Sequence, residues 1–108
     1  MWNPFEKRRL SRDWRLVSTL EASFCWQQGG KPTGEETELF YYLYENGLGE
    51  RKCETRASDY KGAAQAKQHP YYLRRIRPWL AGQFDPEIPN YESIKAKEFK
   101  DALAGKVT

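Results

Sequence analysis

The chain has 108 residues and a formal net charge of +3, which suits one domain. Leu, Ile, Val and Phe supply only 19 residues, about 18%, but the small net charge excludes the class of highly charged disordered chains. No apolar run reaches the roughly 18 residues of a membrane span. Seven Tyr, five Phe and four Trp replace the missing aliphatic residues, so we predict a single folded domain with an aromatic core.

The first 12 residues are predicted to form a basic N-terminal arm. It carries four cations against the single carboxylate of Glu6: Lys7, Arg8, Arg9 and Arg12. The segment has no apolar stretch of the kind that a secretory signal contains. We therefore expect a cytoplasmic protein.

Residues 13–57 are predicted to form a three-stranded antiparallel meander. Apolar residues occupy most even positions from Trp14 to Trp26, an alternation typical of a half-buried strand. The glycine-rich segment 27–36 predicts a ten-residue loop. The aromatic run 39–44 followed by Asn46-Gly47 predicts a tight hairpin.

The turn of this hairpin sets the residues that share a sheet face. A turn centred at Asn46-Gly47 or one residue later predicts one face with Phe40, Tyr42, Tyr44, Arg51, Cys53 and Thr55. The other face then carries Leu39, Tyr41, Leu43, Glu50, Lys52 and Glu54. Both faces of the second strand carry bulky side chains, so we expect cover on each side.

Residues 58–82 are predicted to be helical, with Ser58-Asp59 as the N-cap and an interruption at Pro78. The spacing of Leu73, Ile76 and Leu80 predicts an inward face. Residues 83–90 form an extended connector, and Asn90 caps a C-terminal helix over 91–105 whose inward residues are Ile94, Phe99 and Leu103. The predicted fold class is α+β, with the meander followed by short helices and a C-terminal helix.

Residues suited to catalysis are scarce, and we predict a protein that is not an enzyme and that uses no cofactor. His69 precedes Pro70 and is expected to hydrogen-bond backbone groups. Cys25 and Cys53 are expected to be small buried apolar residues, with a disulfide or a nucleophile as the alternative. No metal site is predicted, because two thiols and one imidazole do not complete a four-ligand zinc site.

Charge is segregated along the chain. Residues 35–49 carry four Glu and no base, whereas residues 61–77 carry five Lys or Arg and no acid. Such blocks attract charged partners or pair with each other within the fold. The basic segment interleaves with aromatic residues, and Tyr and Trp are common at interfaces. The predicted partner-binding residues are Tyr71, Tyr72, Arg74, Arg75, Arg77, Trp79, Glu35, Glu36 and Glu38.

Two stretches, LFYYLYENGLGERK at 39–52 and HPYYLRRIRPWLAG at 69–82, resemble small accessory proteins of tailed bacteriophages. The resemblance implies stoichiometric binding to a host or virion protein in the host cytoplasm. The alternative is a nucleic-acid-binding accessory protein that uses segment 71–79 and the basic arm, since arginines neutralise phosphate and aromatic rings stack on bases. The predicted nucleic-acid contacts are Lys7, Arg8, Arg9, Arg12, Arg74, Arg75 and Arg77.

Overall fold

The computed structural model describes the backbone of residues 3–107 and the side chains of residues 3–105. A helix, α1 (Pro4–Arg12), precedes strands β1 (Arg15–Gln28), β2 (Lys31–Glu45) and β3 (Arg51–Ala57), which pair antiparallel in that order. A 3-10 helix (Tyr60–Gln65), a π-helical turn (Tyr72–Ile76), α2 (Arg77–Leu80) and α3 (Tyr91–Val107) follow. The predicted α+β meander is confirmed, and most of the predicted basic arm is helical.

The first hairpin is longer and tighter than predicted. Gln28 pairs with Lys31, so the predicted loop over 27–36 is wrong. Gly29 and Gly30 have φ values of 60° and 79°, which is the left-handed backbone that a two-residue hairpin turn requires. β3 pairs only as far as Leu39, so the end of the β1–β2 hairpin extends past the third strand as an arm. The molecule reaches 59 Å in its longest dimension.

The second hairpin has an odd-numbered connection, which reverses the predicted faces. The last pair is Glu45 with Arg51, leaving five residues between them. The Asn46 side chain organises this loop, because its Oδ1 accepts from the N–H groups of Leu48 (3.0 Å) and Glu50 (2.9 Å). Cys53 therefore shares a face with Leu43, and Lys52 shares the opposite face with Tyr44. The predicted grouping was wrong because it assumed an even loop.

A β-bulge alters the start of β1. The register shifts between Leu16 and Ser18, so Val17 is buried while Leu16 is 46% exposed. From Ser18 onward the even positions face inward, as predicted. The alternation of apolar residues therefore predicts the inward side chains of β1 correctly from Ser18 onward but wrongly at Leu16, the residue before the bulge.

The core lies on one face of the sheet, where the helical segments pack. We call it the covered face; its strand residues in the core include Leu20, Ala22, Phe24, Leu39, Tyr41, Leu43, Cys53 and Ala57. Helical residues Ala66, Ile76 and Trp79, together with Ile88 of the connector, complete this core. Tyr41 is fully buried and its hydroxyl donates to the Ala66 carbonyl at 2.6 Å. Burial raises the pKa of Tyr41 to about 12.

The helical segment approaches the sheet closely at Gly62. A Cβ there would lie 2.3 Å from Cγ2 of Thr37, so glycine permits the contact. Asp59 caps the 3-10 helix by accepting from the Lys61 N–H, which confirms the predicted cap. Pro78 does not interrupt the following helix. Residues 70–80 form one continuous helical segment. The π-helical turn before Pro78 is closed by a hydrogen bond from the Arg77 N–H to the Tyr72 carbonyl. This turn is wider than an α-helical turn, so it accommodates proline, which has no N–H to donate.

Within residues 91–104, the C-terminal helix contacts the body through its first half. Asn90 Oδ1 accepts from the Ser93 N–H at 2.8 Å, confirming the predicted cap. Tyr91 is buried and Ile94 is half-buried. Phe99 and Leu103, predicted to face inward, are 66% and 48% exposed. That prediction was wrong because the described core reaches α3 at Ile94 and includes neither Phe99 nor Leu103.

Candidate functional site

The sheet has a second face that the core does not include. We call it the open face; it comprises Leu16, Thr19, Glu21, Ser23, Cys25, Glu36, Glu38, Phe40, Tyr42, Tyr44, Lys52, Glu54 and Arg56, assigned from strand register. The core formed by the described residues contains none of them. Cover on both sides of β2 was predicted, whereas the helical residues of the core pack only against the covered face.

An aromatic stripe runs along the middle of the open face. Phe40, Tyr42 and Tyr44 are alternate residues of the central strand and are half-buried among their neighbours. Side chains on the pleated sheet repeat about every 7 Å along a strand, so the three rings cover about 14 Å. Leu16, opposite Tyr44, extends the apolar area onto β1. The aromatic stripe and Leu16 together form an apolar patch that is larger than one exposed side chain and smaller than the hydrophobic core on the covered face.

Two cations from β3 lie against this stripe. Lys52 Nζ is 4.4 Å from the ring centre of Trp14 and 5.3 Å from that of Tyr44. The Arg56 guanidinium lies 5.9 Å from the ring centre of Tyr42. Such cation–π contacts hold the rings in place.

Carboxylates follow the aromatic stripe toward the hairpin arm. Glu38 and Glu36 continue the row of Phe40 along β2, and Glu21 stands opposite Phe40 on β1. All three residues are exposed, and none takes part in an ion pair within residues 3–105. Arg56 is directed toward Tyr42, one row away from Glu38. The open face therefore changes from aromatic to negative along its length.

The segment 71–79 is mostly committed to the fold. Trp79 is 2% exposed, which removes it from any surface and corrects its assignment to a partner interface. Tyr72 stacks on Tyr41 with 5.9 Å between ring centres, and Tyr71 is 6.1 Å from the same ring. Both rings are half-buried, because the covered face needs them for packing.

The arginines of this segment divide into two kinds. Arg75 binds Asp85, Glu87 and the Tyr71 hydroxyl, so its charge is already used within the molecule. The Glu87 N–H, together with Arg75, holds the pKa of Asp85 below its usual value. Arg74 and Arg77 are exposed and remain available. None of the described ion pairs joins the acidic block to the basic block; Arg75 instead uses carboxylates of the connector.

The predicted acidic contacts lie on the hairpin arm, away from segment 71–79 in the chain. Glu35, Glu36 and Glu38 are exposed. Strand register places Glu36 and Glu38 on the open face, opposite Cys25 and Ser23. The two groups of predicted partner-binding residues therefore belong to different parts of the fold, and the open face takes residues from only one of them.

Helix α1 presents the cations of the predicted basic arm. Its C-terminal end docks on the β2–β3 loop, where the Gly47 N–H donates to the Leu10 carbonyl at 3.0 Å. Arg8, Arg9 and Arg12 line an open groove of about 510 Å³ with Phe5 and Asp13. Lys7 is exposed on the same helix, and Arg9 is 3.9 Å from Glu6. This is the strongest local concentration of positive charge found on a single described element.

The residues weighed above for a catalytic role are His69, Cys25 and Cys53. His69 accepts the Tyr71 N–H at Nδ1 and donates to the Ser23 carbonyl through Nε2, confirming its predicted backbone role. Cys25 and Cys53 are free thiols on opposite faces of the sheet. Cys25 is exposed, contrary to prediction, because it lies on the open face. Burial raises the pKa of the Cys53 thiol to about 11.

The described residues form neither a membrane-spanning helix nor a metal-binding cluster. Within residues 3–107 no helix has the length and apolar character needed to cross a membrane. The described His, Cys, Asp and Glu side chains form no group of three that could hold a metal ion.

Sequence reasoning missed Leu16 and Glu21 as residues of the open face, and Trp14 as a ring that Lys52 of this face contacts. The alternation along β2 already separates Tyr41 from Tyr42, but it does not say which of the two aromatic sets faces outward. The odd-numbered loop at 46–50 and the bulge after Leu16 could not be inferred from alternation. These two features decide which residues of β1 and β3 lie on the same face as Phe40, Tyr42 and Tyr44.

Comparisons of this chain with protein-family models, with curated proteins and with solved structures gave no match.

Proposed function

We propose that this chain is a small, non-enzymatic binding protein that engages a partner protein stoichiometrically through the open face. The observation that carries the proposal is the aromatic stripe of Phe40, Tyr42 and Tyr44, which lies outside the core. Tyrosine supplies rigid contact area with little loss of side-chain entropy, and aromatic residues dominate the energetic centres of protein interfaces. The cation–π contacts of Lys52 and Arg56 support the proposal because they hold the stripe in place before binding.

The charge pattern of the open face defines the partner's chemistry. Glu21, Glu36 and Glu38 have no described cationic partner, although the whole chain is positive. A partner that places an apolar patch over Tyr42 and Lys or Arg residues over these carboxylates would complement both halves. The acidic half would repel a nucleic-acid backbone, so a protein fits this face better.

The resemblance to phage accessory proteins adds a proposed biological setting. In that setting the partner is a host or virion protein with a basic and apolar surface, and the compartment is the host cytoplasm. Binding would be stoichiometric because the affinity comes from a preformed surface and no chemical step is involved.

The test begins with capture of a partner from bacterial lysate and is decided with the purified pair. Calorimetric titration should show a defined stoichiometry, and Tyr42→Ser should weaken binding at least tenfold, since a central aromatic hot spot contributes about 2 kcal/mol or more. Glu38→Lys should also weaken partner binding, and the loss should be larger at low salt. Phe84→Ser and Asp101→Lys are matched controls, because both residues are exposed and lie outside the open face. Unchanged affinity in both open-face variants would overturn the proposal.

Helix α1 supports a second candidate function, binding of nucleic acid. The observation in its favour is the convergence of Arg8, Arg9 and Arg12 on one groove beside the exposed ring of Phe5. Segment 71–79 contributes only Arg74 and Arg77 to this candidate, because its aromatic rings are packed in the fold.

Fluorescence anisotropy with a mixed-sequence single-stranded oligonucleotide tests this candidate. Affinity should fall steeply with salt, and Arg8→Gln with Arg12→Gln should reduce the slope of log K against log salt by about 1.4 for the two lost contacts. Arg74→Gln with Arg77→Gln is the matched comparison on another element. No binding at low salt would eliminate nucleic acid as the ligand.

A further inference from the structure

The apolar part of the open face is one strand wide. Its central row is the aromatic stripe of β2. The row on β3 consists of Lys52, Glu54 and Arg56, and the row on β1 has no large apolar side chain after Leu16. Neighbouring rows lie about 4.8 Å apart, so the three rows together span about 10 Å. A partner that buries the aromatic row must therefore leave the charges of the flanking rows in contact with water or polar groups.

The edges of the sheet are poorly suited to receive a strand from a partner. On β1, the Ser23 carbonyl already accepts a hydrogen bond from His69 at 2.9 Å. On the hairpin arm, the paired residues of β2 pass from Glu36 directly to Pro32, and proline has no N–H to donate. β3 is seven residues long and carries charged side chains along its length. Irregular pairing, proline, charge and short length all oppose strand addition, so a partner meets the face of the sheet.

An α-helix meets the requirements of this face. It satisfies its own backbone hydrogen bonds, whereas an extended segment lying across aromatic rings would leave N–H and C=O groups without partners. A helix is about 10–12 Å in diameter, which matches the width of three rows, and an amphipathic helix presents one apolar stripe. A second sheet would instead lay its strands over the flanking rows and bury the charges of β3. Helical segments also cover the opposite face of this sheet.

Building on the proposed function, we infer that the partner contributes an amphipathic α-helix that lies along β2. Its apolar residues cover the aromatic stripe, and its Lys or Arg residues lie over Glu38 and Glu36. Charge supports this occupant, because both carboxylates are exposed and neither takes part in an ion pair within residues 3–105. Glu21, opposite Phe40 on β1, adds a third carboxylate where the aromatic and acidic parts meet.

The spacing of the open face sets the sequence pattern of the partner helix. A strand advances about 3.4 Å per residue, so Phe40 lies about 14 Å from Tyr44, and Glu36 lies about 27 Å from it. A helix advances about 1.5 Å per residue, so these lengths correspond to about 9 and 18 helical residues. The pattern is therefore apolar residues at i, i+4 and i+7, and Lys or Arg at i+11, i+14 and i+18. At 100° per residue these six positions lie within about 40° of one line along the helix.

Designed peptides test this occupant with the full chain. Each has about 21 residues, an Ala-Gln host, Leu at i, i+4 and i+7, and Lys at i+11, i+14 and i+18, which fills the length of the face. Two peptides carry the pattern in the two chain directions. Fluorescence anisotropy should show that at least one binds in the micromolar to millimolar range, and its helical circular dichroism should increase on binding. Absence of binding by both peptides would overturn the inference.

Two control peptides separate the helix from its composition. Proline at a central host position breaks the helix interior, so it should weaken binding at least tenfold. A peptide of the same composition, with Leu and Lys distributed around the helix, should also bind at least tenfold more weakly because it keeps the charge and loses the stripe. Affinity of the proline peptide equal to that of the parent would contradict a helical occupant.

Variants of the protein locate the bound peptide. Tyr42→Ser should weaken peptide binding at least tenfold, since the ring lies at the centre of the stripe. Glu38→Lys should weaken it mainly at low salt, where the lost attraction is least screened. Phe84→Ser should bind the peptide as wild type does, because Phe84 is exposed on the connector before α3. Equal affinities of Tyr42→Ser and Phe84→Ser would place the peptide elsewhere and overturn the inference.

The captured partner separates failure of this inference from failure of the proposed function. Unchanged partner affinity in Tyr42→Ser and Glu38→Lys removes the proposed function, and the helix with it. If both variants lose the partner, the segment that contacts the open face is mapped by cross-linking and synthesised. That peptide should gain helical circular dichroism when it binds the chain. A segment that binds without becoming helical overturns the helix and leaves the proposed function in place.

Discussion

Residues 39–44 of β2 supply aromatic residues to both faces of the sheet, and the two faces use them differently. Tyr41, on the covered face, is fully buried and donates its hydroxyl to the Ala66 carbonyl. Tyr42, its neighbour on the open face, is half-buried beneath Arg56. The covered face builds the core with one set of residues, and the open face holds a second set that the core does not need. Aromatic richness in this chain therefore serves folding on the covered face and, under the proposed function, recognition on the open face.

The largest expected difference between the faces is in stability. Tyr41→Ala should lower the free energy of unfolding by about 3–5 kcal/mol, because it removes a fully buried ring and leaves a cavity. Tyr42→Ala should lower it by about 1 kcal/mol or less, since its ring contributes mainly cross-strand contacts. Urea denaturation followed by tryptophan fluorescence measures both values.

A milder variant covers the case in which Tyr41→Ala does not fold. Tyr41→Phe keeps the ring and removes only the hydroxyl that satisfies the buried Ala66 carbonyl, so it should be destabilised by about 1–3 kcal/mol. Equal losses in Tyr41→Phe and Tyr42→Phe would contradict the distinction between the two faces.

The two cysteines report on the same distinction through reactivity. Cys53 is on the covered face, and burial raises its pKa to about 11, so only about 0.1% of it is thiolate at pH 8. Cys25 is exposed on the open face. A maleimide reagent should modify Cys25 about a hundredfold faster than Cys53 in the folded protein. Cys25→Ser and Cys53→Ser separate the two rates by mass spectrometry, and similar rates in the folded state would show that both thiols are equally accessible.

The attachment of α3 beside the covered face should be sensitive to acid. The Tyr91 hydroxyl donates to Asp13 Oδ2 at 2.5 Å, and this bond, with Arg15, holds the pKa of Asp13 below its usual value. A carboxylate whose pKa is lower in the folded state stabilises the fold above about pH 4, and that stability is lost as pH falls through the folded pKa.

Tyr91→Phe removes the strongest of these interactions. The variant should lose less stability than wild type between about pH 4 and pH 2, as measured by urea denaturation across that range. Asp13→Asn should show the same reduced dependence because it removes the titrating group. A wild-type acid dependence in both variants would mean that the contact does not link α3 to stability.

Much of the fold followed from local pattern, and the errors share a physical cause. The alternation of apolar and polar residues predicted the strands, and the capping residues Asp59 and Asn90 predicted the starts of two helices. Both signals could be read because each lies within a few residues of the element that it specifies. The loop at 46–50 and the bulge at Leu16 each change register by one position, and one position exchanges the two faces. The faces could therefore not be assigned from periodicity. Trp79 and Tyr72 resembled surface anchors because their burial depends on contacts with distant strands.

The smallest expected effect concerns the carboxylates of the open face. Glu21 and Glu38 are diagonal neighbours, and Glu36 follows Glu38 on the same side of β2, so like charges oppose each other without a described cation between them. Glu38→Gln should therefore stabilise the fold by about 0.2–0.5 kcal/mol at low salt, and the gain should shrink as salt screens the repulsion. Chemical denaturation at two salt concentrations measures the change. A gain in stability together with weaker partner binding would mean that the carboxylates oppose folding and favour recognition, as residues of a binding surface often do. A loss of stability would instead assign Glu38 to the fold and leave the aromatic stripe as the main support for partner binding.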